Sequence, residues 1–270
     1  MRAFRLAYDG ADYFGFQRQP TVSTVEGTVF DALVALDIVP ESEPKPNGYA
    51  AAGRTDRGVS ATHQTVAFAA PEWLTPRALN SELPPAIRAW ASASVGDSFH
   101  ATHDAERREY TYLLYAPAAD EELLRTVLSS LSGTHDFHNF TPDEKGTVRT
   151  LTTQVSRDEH VFRITLSADG FARQLVRRLV SIVNAIAIGD RSIDALDTLL
   201  SAEPVSGPAG VEPAPPEPLI LTGVHYPGVS FTVDTEAWGR AQTLFQNQHD
   251  RLVARTAVLS ELASLDTQNP

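Results

Sequence analysis

Glu109-Tyr110-Thr111-Tyr112-Leu113-Leu114-Tyr115 is the stretch on which the reading of the fold turns. It is rich in aromatic residues and predicts a strand. Residues two apart on a strand share a face, so Tyr110, Tyr112 and Leu114 point the same way. The apolar Leu114 makes core packing the simpler reading of that face, with a cleft position open to one tyrosine. Arg107-Arg108 sets positive charge beside the pair, and aromatic rings next to guanidinium groups stack bases and hold phosphates.

Upstream, Phe4–Tyr8 predicts a strand running into the turn Asp9-Gly10. Ser23 to Glu26 has capping-box spacing ahead of Val25, Val29, Leu33 and Leu36 at helical intervals. Pro40 to Pro46 ends that helix. Strands are predicted at Gly48–Ala52, Gln64–Ala69 and Ile87–Val95, and a short helix at Leu74–Asn80.

Downstream, a helix over Ala119–Leu131 precedes a strand pair at Val148–Arg157 and His160–Ala168. Phe171–Ile188 predicts the best helix, with Leu175, Leu179, Ile182 and Ile186 on one side. A helix at Ile193–Ala202, a Pro-rich loop Pro204–Pro218, a strand Leu219–Tyr226, a helix Glu236–Leu262 and a frayed tail complete the chain. This is an α+β fold of two successive strand-helix-strand-strand halves with largely antiparallel sheets flanked by helices. The expected division is 1–104, 105–227 and a helical extension 228–270.

Between two predicted strands stands Gly53-Arg54-Thr55-Asp56-Arg57-Gly58. A carboxylate flanked by arginines is held in its charged form and can act as a nucleophile. On local grounds a tight turn with a locally bonded Asp and two solvated arginines is the favoured reading. Arg173, Arg177 and Arg178 lie on the best predicted helix, and four-residue spacing makes Arg173 and Arg177 neighbours on one face. Val176 and Leu179 draw Arg177 toward the core, where it needs a carboxylate partner, and Asp56 is a candidate.

Together these residues resemble the tRNA pseudouridine synthase A family. Tyr8-Asp9-Gly10-Ala11-Asp12-Tyr13-Phe14-Gly15-Phe16-Gln17-Arg18-Gln19 resembles its N-terminal signature, with Phe16 replacing the usual tryptophan. Gly53 to Ala61 resembles its catalytic loop, with Ser60 where many members have histidine. Gln64, Leu79-Asn80, Leu83-Pro84 and Phe99-His100-Ala101 follow in order, with Thr102 where arginine is common. Tyr110-Thr111-Tyr112, Asp136-Phe137-His138-Asn139-Phe140 and Gly170 to Arg177 continue the match to Leu219, where Pro218 replaces a glycine. The likeness spans residues 4 to 226, and the extension beyond looks archaeal.

The resemblance implies the pseudouridine synthase fold, with a catalytic cleft between the halves, acting on uridines at positions 38 to 40 of the tRNA anticodon stem-loop. It assigns Asp56 to catalysis, by attack on the base, on the sugar or through a glycal. Arg177 pairs with Asp56, Tyr110 stacks on the flipped uracil and Leu219 lines its pocket. Arg54 stabilises the extruded nucleotide, and Arg18, Arg57 and Arg173 contact phosphates. The resemblance implies a homodimer. The reaction needs no cofactor or metal, and the i,i+3 pairs His100/His103 and His135/His138 lack an acidic ligand set. Two rivals are an idle tRNA-binding or folding module and a hydrolase with Asp56 as nucleophile. The second needs another carboxylate, for which Asp104 and Asp136 are unpaired candidates.

Composition bounds these readings. Without cysteine there are no disulfides, thiolate nucleophiles or Cys-ligated metals. No apolar run approaches a membrane helix, and Met1-Arg2-Ala3-Phe4-Arg5 leads into a strand rather than a signal core, so a soluble cytoplasmic protein is expected. The net charge of −12 opposes nucleic-acid binding, so affinity must come from local arginine clusters. Only Lys45 and Lys145 are lysines, and acidic, lysine-poor surfaces suit a high-salt cytoplasm. Unfolding followed from molar KCl into dilute buffer is expected to show a marked loss of stability; salt-independent unfolding contradicts this reading.

Overall fold

A computed structural model describes residues 1–205, 207 and 210–264. In chain order its elements are β1 (Arg2–Tyr8), α1 (Val25–Ala35), β2 (Ala50–Ala51), β3 (Ser60–Phe68), α2 (Pro76–Asn80) and β4 (Ile87–Ser94). Then come β5 (Arg107–Tyr115), α3 (Glu121–Leu131), β6 (Gly133–Asp136), a 3-10 turn (His138–Phe140), β7 (Val148–Asp158) and β8 (Val161–Ala168). The last are α4 (Leu175–Ala187), α5 (Asp194–Leu200), β9 (Leu219–His225), β10 (Thr232–Val233) and α6 (Thr235–Ala263).

The strands form one sheet, ordered β10-β4-β1-β3-β9-β5-β8-β7-β6, with β2 paired to β3. The architecture is α+β as expected, but the two halves share a single sheet. Among the described strands every pairing is antiparallel except β3 with β9, which joins the halves through Ser60↔Ile220 and Ala61↔Leu221. One hydrophobic cluster runs from Phe4, Leu6 and Val66 through Leu221 to Ile164 and Leu179. Helix α4 buries Leu175, Leu179, Ile182 and Ile186, the predicted apolar side, and packs on α3 and β5.

Local backbone chemistry explains the departures. Thr24, not Ser23, caps α1, accepting from Gly27 N at 3.2 Å; Glu26 accepts from Arg18 N instead of closing a capping box. The strand expected from Gly48 shrinks to two residues because Tyr49 N closes a turn on Pro46 O, with Gly48 at φ +66. Helix α4 starts at Leu175, because Gln174 adopts a left-handed φ of 61, so Arg173 is not its helical neighbour. Strands β6 and β10 and the 3-10 turn were not predicted, each being four residues or fewer. Ser206, Pro208 and Ala209 of the expected Pro-rich loop, and the tail after 264, lie outside the described residues.

The extension crosses back to the N-terminal half. Strand β10 adds to β4, Trp238 packs on Trp90 at 5.3 Å, and Arg77 pairs with Asp234 and Glu236. No helix among the described residues is long and apolar enough to cross a membrane. Beneath α6, His63 meets Trp90 edge-on at 5.1 Å, and Thr62 Oγ1 lies 2.9 Å from its Nδ1. Burial, then the charges of Arg5 and His225, pull His63 down to about 4, partly opposed by Glu109. The unfolded chain therefore takes up this proton first as pH falls. The stability so contributed is complete above the ordinary value of 6.5 and is lost toward pH 4. Denaturant melts across that window are expected to show a steep acid limb, made shallower by His63→Gln.

Candidate active site

Backbone clamps hold the Gly53–Gly58 loop. Tyr13-Phe14-Gly15-Phe16 runs beside it: Phe16 N donates to Thr55 O at 3.0 Å and Gly58 N to Tyr13 O at 3.2 Å. Gly15, at φ +90, lies so close that an added Cβ would sit 2.9 Å from Thr55 O. Tyr8 and Thr55 share a buried hydroxyl contact of 2.8 Å, Gln64 Nε2 donates to Gly53 O, and Gly10 N donates to Ser60 Oγ. The N-terminal signature thus forms a bed for the loop, and the serine replacing histidine takes a backbone bond.

Asp56 projects into a cleft of about 1060 Å³ lined from both halves by Arg54, Asp56, Arg57, Tyr110, Phe171, Arg173, Arg177 and Leu219, among others. That volume is at the top of the range of small-molecule pockets and leaves room beyond one base. Arg177 Nη1 lies 3.3 Å from Asp56 Oδ2, with the arginine side chain 13% exposed and the aspartate 37%. The Arg177 Nε donates to Ala214 O at 2.6 Å, and Ala214 N donates back to Arg177 O. The guanidinium is therefore braced by backbone while it meets the carboxylate.

Tyr110 is buried at the cleft floor with its ring edge-on to Phe171, 5.2 Å between centroids. Burial pushes its hydroxyl up to about 12; Arg108 pulls the other way and the Asp56 charge adds to the rise. A neutral phenol at physiological pH follows. Tyr112 shares the apolar face but turns away, donating to Pro215 O at 3.1 Å. One tyrosine faces the cleft and one packs.

The arginines separate. Arg54 is exposed on the rim and has no partner among the described residues. Arg57 stacks over Phe14 at 4.3 Å, and Arg173 lies 3.4 Å from Asp143. Arg18 is not in the cleft: its N donates to Glu26 of α1, and its side chain donates to Pro44 O and faces Phe30 in a separate hollow beside α1. The Pro-rich stretch, read as a plain loop, supplies Ala214 O and Pro215 O and lays Pro216 against Gly58. Phe14, Phe171 and Asp143 were also not singled out by the sequence; the exposed Phe14 beside a glycine was the available signal.

Asp104 accepts from His100 N and Asp136 sits beside His138, both outside the cleft. Thr102 spends its hydroxyl on Ala51 O. Among the described residues no three His, Cys, Asp or Glu groups gather where a metal could be held.

A family model described as tRNA pseudouridine synthase matches residues 127–227. A tRNA pseudouridine synthase A of Natronomonas pharaonis is 54% identical, covering 97% of this chain and 99% of its own. Its namesake from Haloarcula marismortui is 55% identical, covering 95% and 96%. The chain belongs to the tRNA pseudouridine synthase A family. Membership makes it an isomerase, not an idle binding module or a hydrolase. The likeness to haloarchaeal members continues past residue 227, so the extension belongs to it as well. Among solved structures, a Cbf5-Nop10-Gar1 complex is similar at 12% identity and TM-score 0.39, over 82% of this chain and 49% of that one.

Gly15→Ala is expected to destabilise the protein by about 1–3 kcal/mol, through strain at a left-handed φ and the clash with Thr55 O. It is also expected to lower turnover with folding intact at low temperature; unchanged melting and activity would contradict the clamp.

Proposed function

We propose that this isomerase converts uridine to pseudouridine at positions 38 to 40 of the tRNA anticodon stem-loop, with Asp56 as the nucleophile. The observation that carries the reading is the pairing of Asp56 with the backbone-braced Arg177 in a cleft walled by Tyr110, Phe171 and Leu219. Isomerisation breaks the N1–C1′ bond, turns the uracil and joins C5 to C1′, so the base must be held while detached. Tyr110 offers a flat neutral ring for stacking, and Leu219 an apolar wall. Arg54, unengaged on the rim, suits a nucleotide drawn out of its stack. Arg57 and Arg173 border the same opening and suit phosphates. Arg18 suits RNA contact only outside the cleft.

The reading includes a cytoplasmic homodimer and the division 1–104, 105–227 and 228–270. Support for a second subunit comes from α6, whose outer half leaves Leu252, Val253, Val258, Leu259 and Leu262 exposed. Support for the anticodon arm comes from the room that the cleft leaves beyond one base, which fits a loop nucleotide with its neighbours attached.

Tritium release from 5-tritiated uridine in an unmodified tRNA transcript tests the chemistry. Asp56→Asn is expected to fold and bind tRNA while release falls more than about a hundredfold. Transcripts lacking uridine at 38, 39 and 40 are expected to release nothing. Full release by Asp56→Asn sinks the role of Asp56.

A further inference from the structure

Among the described residues Arg108 pairs with no carboxylate and bonds to backbone carbonyls instead. Two residues before Tyr110 on β5, it donates through Nε and Nη2 to Ala52 O at 3.0 and 2.8 Å. Its Nη2 also donates to Thr102 O at 2.6 Å and its Nη1 to Asp169 O at 2.6 Å. Each acceptor sits at the root of something the cleft needs. Ala52 immediately precedes the loop that carries Asp56, and the Arg108 Nε lies beneath Gly53, 4.0 Å from where its Cβ would be. Asp169 precedes Gly170–Gln174, the non-helical run that brings Phe171 and Arg173 to the cleft and leads into Arg177. Thr102 belongs to the turn whose own hydroxyl holds Ala51 O.

We infer that Arg108 is a positioning residue for the isomerisation: it fixes the spacing between the Asp56 loop, the Arg177 approach and Tyr110. The strand seam that joins the halves has two registered pairs among the described strands, and the Arg108 bonds to Ala52 O and Thr102 O add to that joint from β5. On the opposite face Arg5 does the reverse, reaching from β1 to Val224 O of β9 at 2.5 Å and to His63 O and Thr65 Oγ1. One planar fork can serve three carbonyls at once; an ammonium cannot match that geometry. A neutral carbonyl attracts without discharging the guanidinium, so these bonds persist where high salt screens ion pairs.

The inference rests on Asp56 being the reacting group, so Asp56→Asn is measured alongside. Arg108→Lys, in molar KCl, is expected to keep near-parental melting and tRNA affinity while the single-turnover rate of tritium release falls about ten- to a hundredfold. Arg108→Gln, which keeps two donors without the charge, is expected to behave likewise. Either variant releasing tritium at the parental rate overturns the inference. So does a loss of affinity equal to the loss of rate, which makes Arg108 a phosphate contact, or failure of both variants to fold, which makes it a stability residue. If Asp56→Asn is active while Arg108→Lys is slow, the nucleophile assignment fails and the strut survives.

Discussion

The structure depends on the parallel pairing of β3 with β9. In a parallel pair both strands begin at the same edge, so the segments that enter them are neighbours. The segment entering β3 is the Asp56 loop, and the one entering β9 is the run from Ala214 to Leu219. The carbonyl of Ala214 braces Arg177, Pro216 packs on Gly58, and Leu219 reaches the cleft. On the other side of β9, β5 runs antiparallel and brings Tyr110 opposite Leu221. Two registered pairs thus bring together groups that the chain separates by more than a hundred residues.

Electrostatics at the site follow from how little water each group keeps. Asp56 retains solvent and one cationic partner. Tyr110 keeps almost none, and its phenol holds its proton. On the proposed reading, a carboxylate beside a neutral aromatic ring suits a neutral base gripped by its faces. The acidic surface repels RNA at large, so approach depends on arginines gathered at one opening.

Much of this was legible in residues with local signals. The β5 aromatics, the amphipathic α4 and the glycine-bracketed loop each announced their element, and the ordered motifs picked out Asp56, Tyr110 and Arg177, which line one cleft. What was hidden is non-local or depends on a single dihedral. Gln174 has no local mark of a left-handed φ, yet it makes the helix begin four residues later than predicted and moves Arg173 off the helix. Arg18 lies inside the signature but follows α1 away from the cleft. The Pro-rich stretch looks like a spacer because its contribution is carbonyl oxygens, which every residue has. Strand β10 is two residues long, below what alternation can reveal.

The returning C-terminal segment has a consequence for synthesis. During translation β1, β3 and β4 emerge early, with the Asp56 loop already among them. The β3 edge waits for β9, and the outer edge of β4 waits for β10, more than a hundred residues later. Until then the nascent chain carries the Asp56 loop without Arg177, Tyr110 or Leu219 beside it. Such distant pairings make folding slow and leave strand edges open in the interim.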